Sequence, residues 1–271
     1  MSLTLTSVTS SANGLLSNTH LVDAPQGVVV IDPPMLLSDA RAVRDELATL
    51  GRPLAAFVYT HPHPDHVNGA TEIRGDLDVP VYATPDTDRV SREIDGPKRE
   101  FWTPIHPGDY PPVTTFPTVL VHDGQTIGIA GLPFTVHDVG AGECETAALW
   151  ITGDDAFVGD LVYSHAHPWL FEARSAAWLE QLDRARPLLT GKRLHVGHGT
   201  SGSTDLIDEQ ARYITAYRQA VTELADGADS LDEEAKAELL RRMDAVWPGA
   251  PLGDLVTMSA DPVAAELAHQ H

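Results

Sequence analysis

His61, Pro62, His63, Pro64, Asp65 and His66 bring three imidazoles and a carboxylate into six residues, directly after the apolar run 54–59. Imidazole nitrogens and carboxylate oxygens are the usual donors to divalent cations. His61 and His63 each precede a proline, which biases both toward extended backbone, where residues two apart face the same side. Their rings can therefore converge on one ion. Pro62 and Pro64 lack ladder donors, so the stretch reads as a loop leaving a strand end rather than the interior of a sheet. The turn that follows lets Asp65 and His66 face a second ion. With only 13 histidines in 271 residues, a chance His-rich loop is the weaker reading.

Two ions need further ligands, and three later places offer them. Asp160 follows Gly159 after the apolar stretch 156–158, which places its carboxylate at a strand end where it can bridge both ions. His198 lies between Gly197 and Gly199 after the stretch 193–196, where the glycines permit a close turn. Glu143 follows Gly142 beyond the stretch 134–139. Each is weak alone, because acids and histidines after strands are often turn formers. Their order behind the histidine loop gives the set its force.

The elements that must hold these residues alternate between periods of two and of helical type. Segments 18–23 and 27–32 read as a hairpin. Ser38 is expected to cap a helix whose apolar positions Ala40, Val43, Leu47 and Leu50 have helical spacing and which Gly51 ends. The strand at 54–59, the metal loop, a short helix from His66 and a strand at 79–83 follow. Residues 96–118 turn Pro-rich, with Phe101, Trp102, Tyr110 and Phe116 scattered through them, and read as an irregular insertion on the substrate side. Strands are expected at 119–121, 125–129, 134–139, 147–151, 156–158 and 193–196, most of them antiparallel. A helix opens at Ser175 and is closed by Pro187. Beyond Thr204 the pattern is helical, giving a C-terminal extension over 204–271 packed on a single domain that spans 1–271.

Composition narrows the partners. The chain is 42% hydrophobic and 21% charged, as a packed core requires. Its 18 Lys and Arg against 39 Asp and Glu give a formal charge of -21, which repels nucleic acid and anionic membranes. A small-molecule substrate is the expected partner, and the oligomeric state is left open. A single cysteine, Cys144, rules out an intramolecular disulfide framework and reads as a buried structural thiol. No signal-like start and no apolar run approaching the ~20 residues of a membrane span are visible, so the expected location is cytoplasmic.

With these residues in place, the chain resembles the metallo-β-lactamase superfamily of hydrolases over roughly 18–199. The resemblance implies an α/β fold, a four-layer αββα sandwich of two mixed, mainly antiparallel sheets flanked by helices, with the metals at one edge of the sheets. It implies that His61, His63 and the residue at 143 hold one ion, that Asp65, His66 and His198 hold the other, and that Asp160 bridges. Most members place a histidine after a glycine where this chain reads Gly142, Glu143, Cys144, Glu145 and Thr146. Glu143 is assigned as the replacement ligand, with Glu145 as the alternative. The alkylsulfatase branch is similar in using glutamate here, but it also replaces the bridging aspartate, which this chain keeps as Asp160.

The resemblance further implies a metal-bridging hydroxide, with Asp65 as ligand and orienter of the nucleophile, attacking a small ester, thioester, lactone or related substrate. Two divalent ions are expected, zinc first; the extra carboxylate hardens the site and admits manganese or iron. Tyr163 occupies the place of a substrate-polarising tyrosine in related lactonases, and His165 and His167 are further candidates to line the pocket. Two other readings stand beside hydrolysis: a mononuclear iron dioxygenase using His61, His63 and Asp160, and a metal-binding protein without turnover. His20, His106, His122, His137 and His195 receive no role, and His269 and His271 lie in an exposed tail.

Overall fold

Side chains of the run Gly27–Ile31 alternate across the sheet, as the pleat demands. Val28 and Val30 pack against Ala40, Val43 and Leu47 of a helix on one face. Val29 and Ile31 pack against Phe134, Val136, Trp150 and Phe157 of a second sheet on the other. This double burial is repeated along the chain in a computed structural model that describes residues 3–269. The first sheet has the spatial order β1 (Leu5–Thr9), β2 (Asn18–Ala24), β3 (Gly27–Ile31), β4 (Leu54–Val58), β5 (Val81–Ala83), β6 (Val119–Leu120). The second runs β11 (Arg193–Gly199), β10 (Asp155–Ser164), β9 (Ala147–Thr152), β8 (Leu132–Gly140), β7 (Thr126–Ile129). The first three strands pair antiparallel and β3 to β6 pair parallel; the second sheet is antiparallel except for β10 with β11.

Helices α1 (Leu37–Leu50) and α2 (Ala70–Arg74) cover the first sheet. Helices α4 (Ser175–Leu189) and α5 (Asp205–Ala225) cover the second, with Trp178, Leu182, Ile214 and Tyr217 set against Leu149, Leu161 and Val196. The result is helix, sheet, sheet, helix, the αββα order expected from the sequence. Helices α6 (Glu233–Val246), α7 (Gly253–Met258) and α8 (Ala260–Ala268) extend the outer layer through Leu239, Met243, Val256 and Val263. No helix among the described residues is long and apolar enough to cross a membrane. His269 is exposed, and His271 lies outside the described residues.

Several expectations change. The first strand, β1, lies in a stretch to which no element is assigned from the sequence. Ser38 does not cap α1: Leu36 is the cap residue, and the Ser38 amide and hydroxyl instead donate to Asp109 at 2.8 and 2.7 Å. Pro187 sits inside α4 rather than ending it. The largest change concerns 96–118. Helix α3 (Pro85–Ile105) runs through Gly96 and Pro97, so only the residues after it are irregular. An interior proline costs roughly 3 kcal/mol. Here Thr84 caps the helix by accepting from the Thr87 amide, Pro85 fits its first turn, and Arg99 pairs with Asp95 at 2.8 Å across the proline.

His20 in β2 is buried between the sheets. Ser7 Oγ lies 2.8 Å from its Nδ1, and its Nε2 lies 3.1 Å from the Val196 carbonyl, a setting that satisfies the neutral ring. Burial, reinforced by the neighbouring His195, lowers its pKa to about 4. In the unfolded chain the ring takes a proton near its ordinary value of 6.5, so the unfolded state binds more protons between pH 6.5 and 4 and stability falls as the pH drops through that window. The expected loss is about 3 kcal/mol. Urea titrations from pH 7 to 4 should show a shallower decline for His20→Gln than for the parent; parallel declines would refute it.

Candidate metal centre

The histidine loop leaves the C-terminal end of β4 and closes into a short 3-10 turn at Pro64–His66, with Pro64 at its start. It meets β10 and β11 at one edge of the two sheets. Asp160 does not follow a strand end, as the sequence suggested. β10 continues to Ser164, and its pairing with β11 shifts register on either side of Gly159, whose φ of 50° only glycine adopts readily. The irregularity at Gly159 sets Asp160 inside the strand facing the loop. His198 likewise lies within β11.

Four potential donors, from His61, His63, Glu143 and Asp160, lie within 4.8 Å of one another, and so do three from Asp65, His66 and His198. In the first group Glu143 Oε1 is 3.2 Å from His63 Nδ1, and Asp160 Oδ2 is 3.8 Å from His61 Nε2. In the second, Asp65 Oδ2 is 3.3 Å from both His66 Nε2 and His198 Nε2. Asp160 joins the groups, with Oδ1 3.3 Å from His66 Nε2 and Oδ2 3.3 Å from His198 Nε2. All seven side chains are buried.

Each imidazole is turned by what its other nitrogen touches. Thr60 Oγ1 donates to Asp32 Oδ2 at 2.6 Å and so accepts from His61 Nδ1 at 3.0 Å, leaving the His61 Nε2 lone pair inward. His66 Nδ1 donates to Asp32 Oδ2 at 3.3 Å, His198 Nδ1 to the Leu15 carbonyl at 2.9 Å, and His63 Nε2 to Glu172 Oε1 at 3.1 Å. All four rings thus turn their second nitrogen to one region. An outward N–H held by an acceptor is how metal-ligating histidines are fixed in tautomer and angle. Asp32, Thr60, Leu15 and Glu172 were not singled out from the sequence. Only Asp32, a carboxylate ending an apolar strand, carried any signal.

Inward-facing atoms that touch other members of the cluster yet make no well-directed hydrogen bond include His61 Nε2, both Glu143 oxygens and Asp160 Oδ1. Buried polar atoms are seldom orphaned, and convergent orphaned carboxylates call for positive charge. Within the protein alone, protons supply it. Burial opposes charge on His63, but Glu143 and then Glu172 outweigh it and carry its pKa up to about 10; for His198, Asp160 and then Asp65 outweigh burial and raise it to about 9. Burial raises Glu143 to about 7, and burial with the neighbouring His66 lowers His61 to about 3. The residues present fit two divalent cations.

The other candidates separate cleanly. Glu145 is exposed and accepts from Arg89 at 2.8 Å, so it is Glu143 that joins the group. The Cys144 thiol is buried and donates to the Thr146 carbonyl at 3.1 Å. Tyr163 lines the cleft above the centre, its ring stacked on His198 at 4.7 Å and its hydroxyl donating to Asp160 Oδ2 at 2.6 Å. His165 and His167 do not line that cleft. His165 is exposed beside Trp247, while His167 is buried with its nitrogens occupied by Tyr213 at 2.7 Å and Asp244 at 3.1 Å. The chain turns at His165, with a φ of 54°, which carries both toward the C-terminal helices. The cleft itself is narrow, walled by Leu15, Lys98, Trp102, Trp169 and Leu255.

A four-layer αββα sandwich with His, Asp and Glu side chains gathered at the sheet edge sets the class: an α/β sandwich protein with a candidate metal centre. The chain belongs to the metallo-β-lactamase superfamily, whose model matches residues 12–198. It is similar to a hydroxyacylglutathione hydrolase of Bdellovibrio bacteriovorus, 28% identical over 243 residues, covering 89% of this chain and 83% of that one. Another hydroxyacylglutathione hydrolase, of Synechococcus sp., is 29% identical over 203 residues, 70% of each chain. Among solved structures, a metallo-β-lactamase family protein from Thermus thermophilus superposes with a TM-score of 0.69 at 19% identity, over 98% of this chain and 93% of that one. These relatives support a hydrolase.

Proposed function

We propose that this protein hydrolyses a small ester, thioester or lactone at a two-ion centre, with zinc the expected metal. The observation that carries the reading is the convergence of four inward imidazole nitrogens on buried carboxylates that lack well-directed hydrogen bonds. His61, His63 and Glu143 would hold one ion, Asp65, His66 and His198 the other, and Asp160 would serve both. Divalent ions held by these residues would supply acidification of water and polarisation of a carbonyl. Asp65, which lines the cleft, orients the attacking water. Tyr163 fixes Asp160 through its hydroxyl, and Leu15, Trp102 and Leu255 shield the acyl group from solvent. The hydroxyacylglutathione hydrolases among the relatives favour a thioester. The narrow cleft and the formal charge of -21 favour a small molecule over nucleic acid.

The complete second group weighs against a mononuclear iron site, because Asp65, His66 and His198 stand within 3.4 Å of one another. The carboxylate of Glu143 makes the first position harder than an all-imidazole one, which suits manganese or iron as alternatives to zinc. The test is turnover of metal-reconstituted protein on a panel of thioesters, esters and lactones, with elemental analysis. Asp65→Asn is expected to lose about 10²-fold in kcat, within the range for a group that positions or moves a proton. Equal rates for Asp65→Asn and parent would remove the proposed chemistry.

A further inference from the structure

Each of the four imidazoles is held from behind by an acceptor, but Glu143, which stands where most members of the superfamily place a histidine, is not. Neither of its buried oxygens makes a well-directed hydrogen bond among the described residues. A glutamate side chain is rich in rotamers, so where its carboxylate sits falls to the backbone that carries it. That backbone is irregular. β8 ends at Gly140 and β9 begins at Ala147, their register shifts between Asp138 and Gly140, and residues 141–146 belong to neither helix nor strand. Within the turn the Gly142 amide donates to the Cys144 carbonyl at 2.9 Å.

Helix α4 supplies the support that the turn lacks. Gln181 is fully buried, and its Nε2 donates to the Gly140 carbonyl at 2.6 Å. One helical turn further on, Arg184 donates to the Val139 carbonyl at 3.1 Å and lies 3.4 Å from that of Ala141. The carboxamide of Gln181 also packs directly on Gly142, where an added Cβ would collide with it. The φ of Gly142 lies outside the left-handed region, so space for Gln181, not backbone conformation, is what glycine provides at this position. Gln181 Oε1 is buried without a hydrogen-bond partner. An apolar side chain of the same size would fill the space and leave no oxygen unpaired, so filling is not the whole of what Gln181 does; its amide N–H is the group in use.

Resting on the two-ion reading above, we infer that Gln181 is a positioning residue for Glu143: by holding the Gly140 carbonyl and packing on Gly142, it sets the turn so that the carboxylate reaches the ion shared with His61 and His63. The histidines are aimed by what touches their outer nitrogen. The glutamate is aimed by what grips the main chain ahead of it.

The test uses the full-length protein stripped of metal and titrated with Zn²⁺, with bound ions counted by equilibrium dialysis and elemental analysis, so that no substrate is needed. The parent is expected to take up two ions. Gln181→Met, close in size but without the amide, should weaken one of them about tenfold, the lower end for loss of a group that orients a ligand, and leave the other unchanged. Gly142→Ala should do the same, because its methyl displaces the amide, and the two substitutions together should be no worse than Gln181→Met alone. In a Glu143→Ala background Gln181→Met should have no further effect. A general loosening of the fold would instead weaken both ions together and persist in that background. Unchanged affinities in Gln181→Met and Gly142→Ala, or a loss that persists undiminished beside Glu143→Ala, overturns the inference. A parent that binds fewer than two ions overturns the two-ion reading and the inference with it. The expected metal pattern with no ester, thioester or lactone hydrolysed overturns the hydrolase chemistry and leaves the role of Gln181 standing.

Discussion

Alanine at Asp160 is expected to lower kcat/KM by roughly 10⁴-fold, about 5 kcal/mol of activation free energy, and to release both metal ions on dialysis. Asp160 reaches toward three imidazoles, His61, His66 and His198, at 3.8, 3.3 and 3.3 Å. Asp160 thus stands between the two donor groups, and on the two-ion proposal its removal would take a ligand from each ion at once. It also leaves Tyr163 Oη, buried and bonded to Asp160 at 2.6 Å, without an acceptor. Elemental analysis of the variant beside the parent, with turnover on the best substrate, checks the claim. Two ions retained with a rate within tenfold of the parent would refute it.

The second large effect comes from a residue with no side chain. A Cβ at Gly197 would collide with Asp160 Oδ1 and lie 3.0 Å from both the Gly159 carbonyl carbon and His66 Cε1. None of these can retreat, because each is packed within the buried centre. Gly197→Ala should therefore push Asp160 out of line with both ions and lower turnover by roughly 10³-fold, since misplacement by about 1 Å alone costs about 10²-fold. Overpacking should also cost about 1–3 kcal/mol of stability. Gly128→Ala is the control, because a Cβ there meets nothing within 4 Å. If Gly197→Ala keeps metal and rate at the Gly128→Ala level, the close packing around Asp160 is not what positions the centre.

What the sequence revealed and what it withheld divide along a physical line. The loop from His61 to His66 was legible because its geometry is local: two prolines and a turn set it. β3 and β4 were legible because burial on both faces leaves an unbroken apolar run. The groups that orient the rings were hidden. Leu15 acts through a backbone carbonyl 183 residues from His198, and Glu172 meets His63 across 109 residues. No spacing rule connects such pairs. Asp160 was found for its residue type but misplaced in its element, since the glycine that looked like a strand end marks an irregularity within β10. Helix α3 was hidden because Gly96 and Pro97 argue against helix locally, whereas the Arg99 to Asp95 pair and the Thr84 cap act over a longer stretch.

Helix α3 brings Lys98 and Trp102 to the cleft yet supplies none of the seven candidate metal-binding side chains. This part of the cleft wall and the candidate metal-binding side chains are therefore carried on different stretches of polypeptide. Exchanges at these two helical positions would reshape the entrance while leaving every one of those seven side chains in place, so the mouth of the cleft and its floor are free to vary separately.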